Sequence, residues 1–160
     1  MITLKTVLVA ADFGTSSQTT VDYARSVAAA FSATLHVVHV VDDVASRVTP
    51  PPDLAVDFGR LQTEREEEAR RRLDALVTDR ANPGDVTTAV LTSRRPASAI
   101  LAYAQDAHID LIIAGTHSQR SVVDLFMGSV AQELVRHAPC PVLTIGHADH
   151  PGPARAPAAA

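Results

Sequence analysis

Short runs of apolar and β-branched residues alternate with longer segments of helical periodicity along this chain. The first and fourth runs, 6–10 and 111–114, are apolar almost throughout, which is typical of strands that are covered on both faces of a sheet. Three further runs also have strand character, at 34–41, 86–91 and 142–145. The pattern therefore predicts five strands, of which at least two are buried on both faces.

Helical periodicity fills the intervals between these strands. Residues 17–31 have an apolar stripe along one face, and residues 129–137 form a short helix that ends before Pro139. Pro96 opens another helix, because proline is favoured at the first helical position. The alternation predicts one α/β domain over residues 1–146, a flavodoxin-like or Rossmann-like doubly wound parallel sheet of five strands with helices on both faces.

The helix between the second and third strands is expected to be the longest. Pro51 or Pro52 is placed in its first turn, where proline is tolerated. Its charged residues, Glu66–Glu68 followed by Arg70–Arg72, are expected to pair at i,i+4 spacing. We interpret this run of charges as a solvated face of the helix.

Composition excludes several classes of protein. The 160 residues are 46% hydrophobic with a formal net charge of −4, so no basic surface for nucleic acid is visible. No apolar run approaches the ~20 residues of a membrane span and no signal peptide is recognised, so we expect a cytoplasmic protein. Cys140 is the single cysteine, which excludes an internal disulfide. Residues 147–160 are rich in Pro and Ala without apolar periodicity, and are expected to be a disordered tail.

The residues that indicate a binding function follow the fourth strand. That strand ends in Gly115, and a second glycine with a serine, Gly128-Ser129, opens the last helix. Helix N-termini present unpaired N–H groups and the positive end of the helix dipole, so they bind phosphate readily. Ligands of open α/β sheets lie where the winding direction reverses, which is between the first and fourth strands here. Asp12, at the end of the first strand, would therefore face the same crevice as Gly115.

These motifs together resemble the universal stress protein family over residues 4–146. The resemblance rests on the first strand from Val7 to Phe13, on His39-Val40 at the end of the second strand, and on two C-terminal segments, 104–117 and 128–142. It implies a regulatory module of the stress response that binds ATP, with or without Mg²⁺, and that is often a homodimer.

The resemblance also implies which residues bind the nucleotide. Asp12 would hydrogen-bond near the ribose, the backbone of Val40 would contact adenine, and the others would line the ribose and phosphates. The full set is Asp12, Val40, Ala114, Gly115, Ser118, Gly128, Ser129 and Val130. The ATP-binding branch of the family has glycine where this chain has Ser118. The serine Cβ would crowd the nucleotide, or its hydroxyl would donate to an oxygen of it.

Several of these residues have a purely structural alternative. Asp12 would cap the turn into the first helix, Val40 would belong to the core, and Gly115 would serve a tight exit from the strand. Ser129 begins a capping-box pattern with Gln132, so that its hydroxyl would satisfy its own helix end.

Three functions stay open on the sequence alone. The first is an ATP-binding module of the stress response, the second a dimeric stress protein that binds no nucleotide and acts through contacts with an unidentified protein partner, and the third a weak ATPase. No Walker-type Gly-Lys-Ser/Thr motif or nucleophile elbow is present, so no catalytic residue is assigned. His36 and His39 point to opposite faces of a strand and make a poor metal pair.

The fifth strand is expected to lie at one edge of the sheet. Its residues are apolar or β-branched and uncharged, and exposed edges of this kind invite pairing with another chain. The family resemblance also implies dimers through this strand. We therefore predict a homodimer through Val142, Leu143, Thr144 and Ile145.

Overall fold

Five parallel strands and four helices alternate along the part of the chain that the structure describes. The computed structural model describes residues 2–14, 17–44, 57–78, 85–116 and 128–146. The strands are β1 (Thr6–Ala10), β2 (Thr34–Val41), β3 (Val86–Thr92), β4 (Leu111–Gly115) and β5 (Val142–Ile145). The helices are α1 (Ser17–Phe31), α2 (Phe58–Thr78), α3 (Pro96–Asp106) and α4 (Ser129–His137). The predicted alternation of strands and helices is confirmed.

The order of the strands in the sheet is β3-β2-β1-β4-β5, and all neighbouring pairs are parallel. The chain moves outward on one side from β1 through β2 to β3. It then crosses to β4 on the other side of β1 and continues to β5. The winding direction therefore reverses between β1 and β4, as predicted, and the doubly wound α/β fold is confirmed.

The central strands bury side chains on both faces of the sheet, which explains their apolar sequence. Val7 and Val9 of β1 enter one core, which also contains Leu73 of α2 and buried residues of α1. Leu8, between them, enters a second core with Leu134 of α4 and buried residues of α3. Helices α1 and α2 therefore cover one face of the sheet, and α3 and α4 cover the other.

The start of α2 differs from the sequence expectation. The helix begins at Phe58, and Oδ1 of Asp57 accepts a hydrogen bond from the backbone N–H of Arg60 at 2.9 Å. Asp57 is therefore an N-cap, and the placement of Pro51 or Pro52 in the first turn is wrong. The two prolines themselves lie outside the described residues.

Two expectations from the sequence, the disordered tail and the cytoplasmic location, are not decided by the fold. Residues 147–160 lie outside the described residues, so the disordered tail stays a prediction. The cytoplasmic location also stays a prediction; within the described ranges, none of the helices is both long enough and apolar enough to cross a membrane.

A carboxylate joins the starts of β1 and β4. Oδ2 of Asp110 accepts hydrogen bonds from the backbone N–H groups of Lys5 and Thr6, at 2.7 and 3.0 Å. These bonds favour the charged carboxylate, and the bond from Lys5 is the largest cause of a lowered pKa of Asp110. The carboxylate therefore fixes the two strands that flank the reversal to each other at their amino ends.

We expect Asp110→Asn to lower the free energy of unfolding by about 1 kcal/mol near neutral pH, because the lost hydrogen bonds are charge-assisted but partly exposed to solvent. The folded-state pKa of Asp110 is depressed, so its stabilisation is complete above the unfolded-state pKa of about 4 and is lost as pH falls through the folded-state pKa. Urea unfolding of both proteins at pH 7 and pH 3 measures the difference, which should shrink in acid.

Asp106→Asn is the matched control for this experiment. Asp106 is exposed at the end of α3, and its side chain makes no hydrogen bond among the described residues. A similar loss of stability in the control, or a loss at Asp110 that is independent of pH, would contradict the role given to the Asp110 carboxylate.

Candidate functional site

A crevice opens at the carboxyl ends of the strands, where the winding reverses. Its volume is about 790 Å³, within the range of pockets that hold small molecules. The ends of β1, β2 and β4, the starts of α1 and α4 and one side of α2 line it. Open α/β sheets bind their ligands at this position.

Most of the residues predicted to bind nucleotide line this crevice. Seven of the eight do so: Asp12, Val40, Ala114, Gly115, Gly128, Ser129 and Val130. The eighth, Ser118, lies outside the described residues. The fold thus brings residues from both ends of the sequence to one surface, and their contacts with a nucleotide stay predictions.

Hydrogen bonds at Thr116 fix the start of α4 against the sheet. The N–H of Thr116 donates to the carbonyl oxygen of Ile145 at 2.9 Å, and its own carbonyl oxygen accepts from the N–H of Gly128 at 2.7 Å. Gly128 is the N-cap of α4 and Ser129 the first helical residue, so the capping-box interpretation of Ser129 and Gln132 is wrong. The first turn of α4 therefore has no side-chain cap, and the positive end of its dipole lies at the crevice.

Asp12 forms the turn that leaves β1. Its Oδ1 accepts a hydrogen bond from the N–H of Gly14 at 2.8 Å, the pattern of an Asx turn. Its Oδ2 has no hydrogen-bond partner among the described residues. The structural and the binding interpretations of Asp12 are therefore compatible, because they use different oxygens of one carboxylate.

Three side chains to which the sequence assigns no role in binding form a stack in the wall of the crevice. The rings of Phe13 and His39 have centroids 4.1 Å apart, and the guanidinium carbon of Arg72 lies 4.3 Å from the centroid of Phe13. Phe13 has a φ of 59°, in the left-handed region, which costs a non-glycine residue on the order of 1–3 kcal/mol. The two ring contacts of this Arg72–Phe13–His39 stack help to offset that cost.

His39 brings a hydrogen-bond acceptor to the crevice. Burial lowers the pKa of His39 and the charge of Arg72 lowers it further, against the raising effects of the Ala11 carbonyl and Asp12. Its Nδ1 lies 2.7 Å from the carbonyl oxygen of Ala11. Because a carbonyl oxygen only accepts, Nδ1 carries the proton, and Nε2 of the neutral ring is an acceptor.

One face of α2, which includes two residues of its charged run, lines the crevice. The crevice-lining residues of this helix recur at intervals of three and four, which places them on one face: Leu61, Glu64, Arg65, Glu68, Ala69 and Arg72. Glu68 pairs with Arg71 at 2.8 Å and i,i+3 spacing, whereas i,i+4 spacing to Arg72 was expected. Arg72 consequently makes no ion pair among the described residues. The expectation of a simple solvated face missed this alignment, although the spacing around Ala69 was visible in the sequence.

A chain of hydrogen bonds ties α2 to the ends of two strands. Oε1 of Glu66 accepts from Thr92 Oγ1 at 2.6 Å and from Gln62 Nε2 at 3.1 Å. Oε1 of Gln62 in turn accepts from the backbone N–H of Val44 at 3.1 Å. The bond from Thr92 is the largest cause of a lowered pKa of Glu66. These bonds hold the α2 wall of the crevice in place.

Metal-binding side chains are not clustered in the described part of the chain, where no group of three or more His, Cys, Asp or Glu residues could hold an ion. Nδ1 of His36 lies 2.9 Å from the hydroxyl oxygen of Tyr103 on α3. His39 instead contacts Phe13 on the side of α2. The two histidines thus lie on opposite faces of β2, as strand geometry predicts.

Comparisons with known proteins agree with this architecture. The model of the universal stress protein family matches residues 3–146. A universal stress protein of Thermus aquaticus is 36% identical over 146 residues, covering 88% of this chain and 98% of the relative. The structure of the universal stress protein UspA from Lactobacillus plantarum is 27% identical, covers 91% of this chain and 99% of its own, and has a TM-score of 0.72.

A further solved structure shares the fold at lower identity. It is a universal stress protein in complex with cAMP, which is 21% identical and covers 91% of this chain and 98% of its own, with a TM-score of 0.60. The family match and the relative from Thermus aquaticus span nearly all of the described domain. This chain belongs to the universal stress protein family.

Proposed function

We propose that this protein binds an adenine nucleotide in the crevice between β1 and β4 and acts as a regulatory module of the stress response. The observation that carries the proposal is that predicted nucleotide-binding residues from β1, β2, β4 and α4 line one crevice. The cAMP bound by a relative supports an adenine nucleotide as the ligand class. ATP, with or without Mg²⁺, is the nucleotide that the sequence resemblance implies.

Different parts of the crevice provide donors for phosphate, apolar surface for a base and an acceptor for ribose hydroxyls, which together suit a nucleotide. The uncapped start of α4 at Gly128 offers backbone N–H groups and a positive dipole end to phosphate. Val40, which is only partly buried, supplies apolar surface for a base. The Oδ2 of Asp12, which is not engaged in the turn, is an acceptor for ribose hydroxyls.

Calorimetric titration with Mg-ATP tests the proposal directly. We expect saturable binding of one nucleotide per chain, because the crevice provides both an apolar surface and an anion-binding helix start. Absence of binding up to about 1 mM, a free energy of only about −4 kcal/mol, would contradict it and favour the alternative that acts through protein contacts alone.

The role of the α4 start is tested by Gly128→Val. Gly128 has φ −56° and ψ 149°, an extended conformation open to any residue, so the variant should fold. A branched side chain at the N-cap should block the approach of phosphate, and we expect nucleotide affinity to fall at least about tenfold, or about 1.4 kcal/mol. Calorimetry measures the affinity and circular dichroism the fold.

Gly146→Val is the matched control, because a Cβ added at Gly146 meets no atom within 4 Å. This variant should keep the affinity of the native protein. If a folded Gly128→Val protein also keeps it, the start of α4 is not where phosphate binds.

We further propose that β5 joins two copies of the chain. It lies at the edge of the sheet, where all four of its residues are partly exposed. The carbonyl oxygens of Pro141 and Ile145 accept hydrogen bonds from Ile112 and Thr116 on the β4 side. Because peptide groups alternate in direction along a strand, Thr144, like Val142, directs its N–H and C=O away from β4, toward the free edge.

Thr144→Pro should convert the homodimer into a monomer. Proline removes an outward-facing N–H while sparing the bonds to β4, and edge strands tolerate it. Thr144→Ala keeps the N–H and should remain dimeric. Analytical ultracentrifugation measures both, and a native protein that sediments as a monomer at ~50 μM, above the micromolar range of a modest specific interface, would refute the dimer.

A further inference from the structure

A second cavity lies between α1 and α2, next to the crevice. Its volume is about 390 Å³, and it shares Phe13, Ser17 and Arg72 with the crevice. We call it the α1–α2 cavity. Its other lining residues are Gly14, Gln18, Ala75 and Leu76. No Asp or Glu side chain is among the described residues that line it, so these residues present no carboxylate to an anion.

Ser17 leaves a buried hydroxyl without a partner at this position. The residue is only 5% exposed, and its Oγ makes no hydrogen bond among the described residues. Such a group costs about 1–3 kcal/mol, and an unsatisfied polar atom of this kind is explained by strain, by an ordered water, or by an ion or ligand that completes it. A phosphoryl oxygen would accept the bond that the described residues leave unmade.

Ser17 is also the first residue of α1, which is fifteen residues long. The N–H of Ser17 donates to the carbonyl oxygen of Gly14 at 3.0 Å. The N–H groups that follow in the first turn are those that a helix leaves without intrahelical partners. Together with the helix dipole they make the start of α1 electropositive.

Arg72 supplies a full positive charge to the same cavity. Its guanidinium lies over the ring of Phe13, and it forms no ion pair within the described part of the chain. Glu68, the acid expected to pair with it, is engaged by Arg71. An unpaired guanidinium binds a tetrahedral oxyanion through two parallel hydrogen bonds.

We propose that the α1–α2 cavity binds a tetrahedral oxyanion of the phosphate class, at a position separate from the start of α4. Arg72 supplies the charge, the Ser17 hydroxyl donates a hydrogen bond, and the start of α1 supplies the favourable dipole. The oxyanion is either free inorganic phosphate or a phosphoryl group of the ligand in the crevice, because Ser17 and Arg72 border both cavities. Only the second source rests on the proposed nucleotide function.

Titration of the full chain with inorganic phosphate, followed by backbone amide NMR at ionic strength held constant with chloride, tests this site. We expect saturable shifts at Gly14, Ser17 and Gln18. Arg72→Gln should weaken the binding about tenfold, and Ser17→Ala should weaken it several-fold, because charge-assisted hydrogen bonds are the stronger ones.

Arg70→Gln is the matched control, since Arg70 carries the same charge on the same helix, is exposed and lines neither cavity. This variant leaves the Arg71–Glu68 pair intact and should bind phosphate as the native protein does. An equal weakening by Arg70→Gln, shifts that do not saturate, or shifts confined to 128–130 would overturn the site.

Repeating the titration with saturating Mg-ATP separates the two sources of the oxyanion. Loss of phosphate binding, with shifts at Gly14 and Ser17 caused by ATP itself, identifies the phosphoryl group of the nucleotide. Unchanged phosphate binding identifies the free anion. A protein that binds phosphate at the start of α1 but binds no ATP contradicts the proposed nucleotide function and supports the oxyanion site.

Discussion

The crevice exists because parallel strands must be covered on both faces while the winding reverses between β1 and β4. The crossovers from β1 to β3 place α1 and α2 on one face of the sheet, and those from β3 to β5 place α3 and α4 on the other. The helices that follow the two central strands, α1 and α4, therefore diverge to opposite faces. A gap is left between them at the carboxyl ends of β1 and β4. Asp110 joins the same two strands at their amino ends, so the gap forms in a well-anchored part of the sheet.

This divergence directs two helix N-termini toward one edge of the sheet, and side chains then give each a different character. The start of α4 has a glycine as its N-cap and offers mainly backbone N–H groups. The start of α1 instead has the buried hydroxyl of Ser17 and the nearby guanidinium of Arg72. Backbone donors can bind the phosphates of many ligands, whereas a guanidinium and a hydroxyl define a smaller site for one oxyanion.

The sequence predicts the elements whose signals are local. The strands β1, β2 and β5, the helices α1 and α4, and the start of α3 at Pro96 have the predicted bounds, because apolar runs, helical periodicity and prolines act over a few residues. The start of α2 was missed because a favourable N-cap at Asp57 competes with prolines as a start signal. The capping box was missed because Gly128 takes the N-cap position that the pattern assigned to the serine after it.

The residues predicted to bind nucleotide were predictable in position because several of them lie at the carboxyl ends of strands, which a parallel sheet brings to one edge. The Arg72–Phe13–His39 stack was not predictable in this way. Its members come from α2, from the turn after β1 and from β2, and their contact depends on how far α2 overhangs the sheet. No local pattern encodes that distance. The left-handed backbone of Phe13 was also not predictable, because phenylalanine rarely adopts a positive φ.

The same stack limits how strongly the two cavities influence each other. Arg72 and Phe13 border both, so an oxyanion that draws the guanidinium away from the ring also changes the wall of the crevice. A ligand in the crevice that holds Phe13 in place would by reciprocity change the affinity for the oxyanion by the same factor. An exposed cation–π contact is worth about 0.5–1 kcal/mol, so coupling through this contact alone is roughly twofold to fivefold. Through this contact two anions would modulate each other's affinity. The coupling is too weak for either anion to switch the binding of the other on or off.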